Sequence, residues 1–236
     1  DANLRAAIMA SGFAWRVRDN AANIEMLLVP PGTFMMGCSP GDAECLANES
    51  PVHQVTLTNA FYMGKTEVTQ AQWTAVMGSN PSAFQGASYP DAANRPVESM
   101  PVNMIQAFNT ATGLRLPTEA EWQYACRAGT TTARYGVLND IAWCSENSGG
   151  QSHQVAGKLP NALGLYDTLG NVIEWTSDWV GAYTAEAQTN PTGPLSGTLP
   201  ICCGGNWLYL CNESRASQRV YAQPSNHGGI RVARNP

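Results

Sequence analysis

GLRLPTEAEWQYACRAG, residues 113–129, carries a helix with both of its ends marked. Thr118 stands three residues before Glu121, the spacing of a capping box in which each side chain accepts the other's backbone N–H. Pro117 lies just ahead of the cap, and Gly129 follows the last turn, where a glycine ends a helix readily. Arg115, Glu119 and Glu121 gather charge at this end. They are either an ion network tying the helix to its preceding loop or solvated helix charges. Because buried charges must be paired, an Arg115–Glu121 pair is expected.

On either side of this helix the chain reads as short elements and long loops. Residues 4–10 can form one helical stretch. Phe13, Trp15 and Val17 alternate, Asp19-Asn20 marks a turn, and Ile24 to Val29 returns, which predicts a β-hairpin. Pro30-Pro31-Gly32 interrupts before TFMMG (33–37). VHQVTLT (52–58) alternates as a strand. Thr66 is a candidate cap for a helix over 67–77, with Val68, Trp73 and Met77 inward and Gly78 closing it. Residues 80–96 read as a long surface loop, and 104–109 as a short helix. Beyond Thr130 the pattern is mostly loop, with Trp143 and Trp175 as anchors. No repeat and no linker divides the chain.

Composition agrees with this pattern. The 236 residues suffice for one large domain with a real core. Charged residues make up 13%, about half the ~25% of an ordinary soluble domain. Gly (22) and Pro (15) are abundant, so irregular structure held by packing is expected. A net charge of −5 offers no counterion release to nucleic acid or an anionic membrane. No apolar run approaches the ~20 residues of a membrane helix. Starting at Asp1 without Met, the chain reads as processed or trimmed, and its start says nothing about targeting. Seven cysteines leave at least one unpaired within the chain. Cys38 and Cys45 either close a local disulfide or are both reduced, so the redox compartment stays open.

Several blocks together resemble the formylglycine-generating-enzyme (sulfatase-modifying factor) family. They are PPGTFMMG (30–37), KTEVTQAQW (65–73), GLRLPTEAEWQYACRAG (113–129), PNALGLYDTLGNVIEWTSDW (160–179), GGNW (204–207) and GIRVAR (229–234). They occur in the family's order across nearly the whole chain. The resemblance implies an α+β, C-type-lectin-like fold, low in regular structure, with two main helices on small antiparallel sheets. It implies an N-terminal extension at 1–22 and the lectin-like domain at 23–236. Trp122, Trp175 and Trp179 are expected in the core.

Enzymes of this family bind copper through two cysteines, at the second and seventh positions after the aromatic residue of the Gly-Gly-Ser-aromatic motif. Counted from Trp207, those positions hold Tyr209 and Ser214, neither of which replaces a thiolate for Cu(I). Cys211 is off-register, and Cys202 and Cys203, as neighbours in an extended segment, point to opposite faces. No copper and no catalytic residue are therefore expected. His53, His153 and His227 share no metal-ligand spacing and read as surface or capping residues. Asp167, Gly170, Val172 and Glu174 match the family's calcium ligands, a set suited to a hard cation. The alternative is that Asp167 caps a turn and Glu174 pairs with an arginine.

The stretch 201–234 resembles a branch of the family that serves as the variable protein of diversity-generating retroelements, where adenine-directed mutagenesis rewrites codons. The fixed text is Gly204, Gly205, Trp207, Arg215, Arg219, Pro224 and Gly229 to Arg234. Within the region 201–231, the resemblance implies variable, ligand-binding positions at Ile201, Cys202, Cys203, Asn206, Leu208, Tyr209, Leu210, Cys211, Val220, Tyr221, Ser225, Asn226 and His227. An AAC codon randomised at its adenines becomes NNC, which encodes all of these residue types but not Trp, Glu, Gln, Lys or Met. Leu208, Tyr209, Leu210 and Tyr221 make an apolar patch with a phenolic rim, the composition of a binding hot spot. Arg215 and Arg219 are expected to donate to loop carbonyls from beneath.

These readings lead to a monomeric, non-enzymatic binding module, bacterial or phage-encoded and suited to cell-surface display, that recognises a protein or other macromolecule. One rival is a copper-dependent oxidase with a rearranged site built from Cys202, Cys203 or Cys211. Another is a passive accessory domain. A lectin-type fold implies no sugar by itself.

Overall fold

The computed structural model describes residues 2–221 and 228–236. Among them five helices and eleven short strands follow one another. Helix α1 (Ala2–Ala10) buries no residue. Strands β1 (Arg16–Arg18) and β2 (Glu25–Val29) form the expected antiparallel hairpin, Val17 opposite Met26. Then come β3 (Gly32–Met36), β4 (His53–Leu57) and β5 (Phe61–Gly64). Helices α2 (Gln70–Met77), α3 (Val102–Thr112), α4 (Glu119–Arg127) and α5 (Leu138–Ile141) lead to β6 (Ile173–Trp179) and β7 (Gln188–Thr189). The chain closes with β8 (Pro200–Cys203), β9 (Arg219–Tyr221), β10 (Gly228–Gly229) and β11 (Ala233–Arg234).

Three small sheets result, ordered β1-β2-β5-β11, β10-β6-β8-β9 and β3-β4-β7. They are not wholly antiparallel as expected, because β10 runs parallel to β6 and β4 parallel to β7. The molecule is α+β, with much of the chain outside regular elements.

Helix α4 starts at the box read from sequence: Thr118 Oγ1 accepts from the Glu121 N–H at 3.1 Å, and the Glu121 carboxylate accepts from the Thr118 N–H at 2.9 Å. Helix α2 begins three residues later than expected. Its cap is Thr69, because Gln72 completes a box there at 2.9 Å and nothing does so for Thr66.

The core has two halves. In one, Trp73 of α2 stacks on Phe108 of α3 with centroids 5.0 Å apart, above Met26, Leu28 and Tyr62. In the other, Trp122, Ala125 and Cys126 of α4 pack with Leu27, Phe61, Met63 and Ile201. Successive residues of β2, β5 and β8 face alternate halves, so these strands are buried on both sides. Trp122 and Trp175 are buried as expected, and Trp179 is half-buried. His53 is buried edge-on against Tyr183, and His153 stacks on Trp143. His53 is therefore not the surface residue expected, while His153 is half-buried and its Nε2 meets the Ser148 carbonyl at 2.7 Å. His227 lies outside the described residues.

Candidate functional site: an anchored loop with exposed side chains

Two glycines turn the chain out of β8. Gly204 and Gly205 have φ of +98° and +76°. A Cβ at Gly204 would stand 2.8 Å from the Thr168 carbonyl oxygen, and one at Gly205 would stand 2.7 Å from Ser214 Oγ. Only glycine fits both the conformation and the space. Asn206 Oδ1 then accepts the N–H groups of Leu208 and Tyr209, each at 2.9 Å, which fixes the next turn locally. Trp207 is nearly buried and meets Phe84 edge-on at 5.1 Å.

The segment 144–148 holds the loop from its side. Ser148 Oγ donates to the Trp207 carbonyl at 2.7 Å, and the Ser145 N–H donates to the Tyr209 carbonyl at 2.9 Å. Glu146 accepts the Cys211 N–H at 2.9 Å, and Cys211 is disulfide-bonded to Cys144. Arg134 donates to the carbonyls of Asn212 and Ser214 at 2.8 and 3.1 Å and pairs with Glu44 at 2.6 Å. Of these clasps, the sequence reading missed Cys144, Glu146 and Arg134. The odd cysteine count was the one available signal for Cys144.

Beneath the loop, arginines meet carboxylates from distant parts of the chain. Arg215 binds both oxygens of Glu49 at 2.6 Å and Asp42 at 3.0 Å. Arg219 binds Glu119 at 2.5 and 3.0 Å, lies over the Tyr183 ring, and donates to the carbonyls of Asn48 and Gly181. Neither arginine donates to the loop's own carbonyls as expected: Arg219 reaches the carbonyls of Asn48 and Gly181 elsewhere in the chain, and Arg215 serves buried acids. Arg115 pairs with Glu121 at 2.6 and 2.8 Å, as expected, and Glu119 goes to Arg219 instead.

The expected ligand-binding residues divide sharply. Leu208, Leu210 and Tyr221 are 48%, 56% and 44% exposed. Tyr209, Cys211 and Val220 are partly exposed. Ile201, Cys202, Cys203 and Asn206 are buried, which corrects their assignment to the surface. The first three belong to a strand paired on both sides, and Asn206 spends its carbonyl on the loop. Ser225, Asn226 and His227 lie outside the described residues, as does Pro224.

Cys202 and Cys203 point to opposite sides of their strand, as expected, into the two halves of the core. Burial raises both thiol pKa values. Cys126 is likewise buried, with its pKa pushed up to about 12. Cys38 is joined to Cys45 and Cys144 to Cys211, so every free thiol is buried. Ser214 is buried against Gly205, and Tyr209 packs partly on the core.

Two carboxylates of the expected calcium set have partners within the protein. Both Glu174 oxygens are taken by Arg231 at 2.6 to 3.0 Å, and Trp122 Nε1 donates to one of them at 2.6 Å. Asp167 Oδ2 accepts the Ala156 N–H at 2.6 Å. This is the alternative arrangement, a turn cap and an arginine pair. Asp167 Oδ1 and Glu67 Oε1 remain buried without partners. Burial first, and then neighbouring carboxylates, raise the pKa of Glu67, while burial pushes Asp167 up to about 6.

A cavity of about 420 Å³ lies under β9, lined in part by His53, Glu119, Asp178, Tyr183 and Arg219. Asp178 is pushed up to about 7, chiefly by burial. Among the described residues no helix is long and apolar enough to cross a membrane.

Residues 15–236 match the sulfatase-modifying factor enzyme 1-like domain family. The formylglycine-generating enzyme of Streptomyces coelicolor is 31% identical over 94% of this chain and 89% of its own length. The Thermomonospora curvata enzyme is 30% identical, over 89% and 93%. Among solved structures, Treponema denticola variable protein 1 aligns with a TM-score of 0.82 and 28% identity, over 94% of this chain and 98% of that one. The fold is C-type-lectin-like, as the sequence implied.

Proposed function

This chain belongs to the sulfatase-modifying factor enzyme 1-like family, and from that premise we propose that it is a non-enzymatic binding protein. Its C-terminal loop presents exchangeable side chains to a macromolecular ligand, in the manner of the variable proteins of diversity-generating retroelements. The observation that carries this reading is the division within one loop. Leu208, Leu210 and Tyr221 project outward, while the glycines, Asn206 and the arginines that shape the loop are buried. Likeness to a protein named as variable supports it over the length of the chain. The contact set is Leu208, Tyr209, Leu210, Cys211, Val220 and Tyr221. Leu and Tyr at its centre supply buried apolar area, and Tyr adds a hydroxyl for the partner. The ligand is a protein or comparable macromolecule, since large apolar and phenolic side chains exposed at a surface suit such a partner.

Loss of oxidase chemistry is supported by Tyr209 and Ser214 at the family's thiol positions and by the burial or pairing of every cysteine. The test is incubation of the purified protein with Cu(I) and a cysteine-bearing peptide, followed by mass spectrometry. Unchanged peptide is expected. Turnover, or stoichiometric Cu(I) binding abolished by Cys211→Ser, would overturn the reading in favour of the enzyme. The retroelement part is tested in the gene's surroundings. A near-identical template copy differing at adenines in codons 208–211, beside a reverse transcriptase gene, is expected, and absence of both contradicts it.

A further inference from the structure

The cavity of about 420 Å³ under β9 holds a carboxylate that the protein leaves without a counter-charge. Its ion pair is closed: Glu119 receives two hydrogen bonds from Arg219 and one from the Tyr183 hydroxyl, and further Arg219 donors go to the Asn48 and Gly181 carbonyls. Asp178 of β6 is different. The residue is 4% exposed. Its Oδ2 accepts the Glu119 N–H at 2.9 Å and the Ser177 hydroxyl at 3.2 Å. Its Oδ1 has no donor among the described residues, is not sealed from solvent, and has no cation beside it. A carboxylate buried in this way is costly, and a cation that reaches it recovers the cost.

Space lies in front of that oxygen. A Cβ at Gly193, which also lines the cavity, would stand 3.0 Å from Oδ1, so the glycine leaves the approach open. His53 lines the same cavity, and its Nδ1 donates to the Pro51 carbonyl at 3.1 Å, because a carbonyl only accepts. The neutral ring then keeps Nε2 as a second acceptor. Two acceptors and one uncompensated negative charge call for a cation with several N–H donors, which an ammonium supplies. A metal ion fits less well, because neither Asp178 nor His53 belongs to a trio of metal-ligating side chains among the described residues. Met36, Ala120, Pro191 and Pro194 provide an apolar wall for a short alkyl stem. The volume lies toward the lower end of small-molecule sites, roughly 300–1,000 Å³.

We propose that this cavity binds a primary alkylammonium group, held by Asp178 and His53 with its stem along the apolar wall. Such a group is carried by a free alkylamine or by a lysine side chain of a partner. The proposal is independent of the exposed loop surface. The test is calorimetric titration of the intact protein with butylamine, with the capped peptide acetyl-Gly-Lys-Gly-amide and with butanol, in about 0.15 M salt so that attraction to surface charges is screened. Saturable binding of at least one ammonium ligand is expected, with butanol about tenfold weaker or more. Tighter binding of butylamine assigns a free amine, and equal or tighter binding of the peptide assigns a partner's lysine. Asp178→Asn keeps an acceptor for the Glu119 N–H and should weaken binding about tenfold or more. Asp140→Asn makes the same change at an exposed position outside the cavity and should leave binding as it is. Burial pushes Asp178 up to about 7, with Glu119 and Glu121 adding to the rise, and His53, Tyr183 and Arg219 are the other titratable groups on the cavity wall. Because the ammonium meets the ionised carboxylate, affinity should rise about tenfold from pH 6 to pH 8. Absence of binding by both ammonium ligands, equal binding of butanol, indifference to Asp178→Asn, or a flat pH profile overturns the proposal.

Discussion

Arg215 and Leu210 stand five positions apart and illustrate opposite demands on a side chain. Arg215 is buried with Glu49 and Asp42, so its removal strands two acids without a counter-charge. Arg215→Ala should cost about 3–5 kcal/mol in chemical denaturation, whereas Leu210→Ala should stay within about 0.5 kcal/mol. Similar losses for both would show that the loop is ordinary core. Asp178 gives a pH signature. Its carboxyl is pushed up to about 7 by burial, with the Glu119 charge adding to the rise and the Glu119 N–H opposing it. The unfolded value is about 3.9, so between these limits the folded state holds the proton more tightly. Stability from this group is greatest below pH ~4 and declines as pH rises to about 7. Asp178→Asn keeps an acceptor for the Glu119 N–H and removes the decline. At pH 8 it should be more stable than the native protein by about 1 kcal/mol or more, one pKa unit being worth ~1.4, with little difference at pH 4. Equal stability at pH 8 would contradict the burial argument. Glu174 should likewise be satisfied by Arg231 and Trp122. Calcium added after chelation should leave the thermal midpoint unchanged, whereas a cation at 100 times its Kd would add about 2.7 kcal/mol.

Elements that announce themselves in sequence are those closed by local chemistry. The α4 box needs only Thr118 and Glu121, and it was legible. The α2 cap was misplaced because Thr66 and Thr69 are equivalent until Gln72 is noticed. Strand β6 passed unread. IEWTSDW is mostly buried, being central in its sheet, so it lacks the polar alternation of a half-exposed strand. In the site, the exposed triad Leu208, Leu210 and Tyr221 was legible from the variable text between glycines. The burial of Ile201, Cys202 and Cys203 was not, since it depends on pairing with β6 and β9, distant in sequence. The same distance hid Cys144. Its bond to Cys211 should stiffen the loop. In the Cys144→Ser/Cys211→Ser double variant, amides of 208–213 should exchange hydrogen faster while those of β6 do not. Unaltered exchange across the loop would assign its rigidity to the hydrogen bonds from 145–148 alone.

Taken whole, the molecule separates stability from contact chemistry. Three arginines from the C-terminal quarter, Arg215, Arg219 and Arg231, each pair with a buried glutamate far off in sequence. They sew the loop-bearing segment to the body of the domain. Side chains pointing away from those seams are expected to carry little of the folding free energy, which would permit the exchange proposed above. The most direct check is the thermal midpoint of a Leu208→Asn/Leu210→Asn/Tyr221→Ser triple variant beside that of the native protein. A change of no more than a few degrees is expected, since 1 kcal/mol shifts a domain of this size by about 2–4 °C. A fall of ten degrees or so would mean that these residues hold the fold together, and the proposed display surface would be lost.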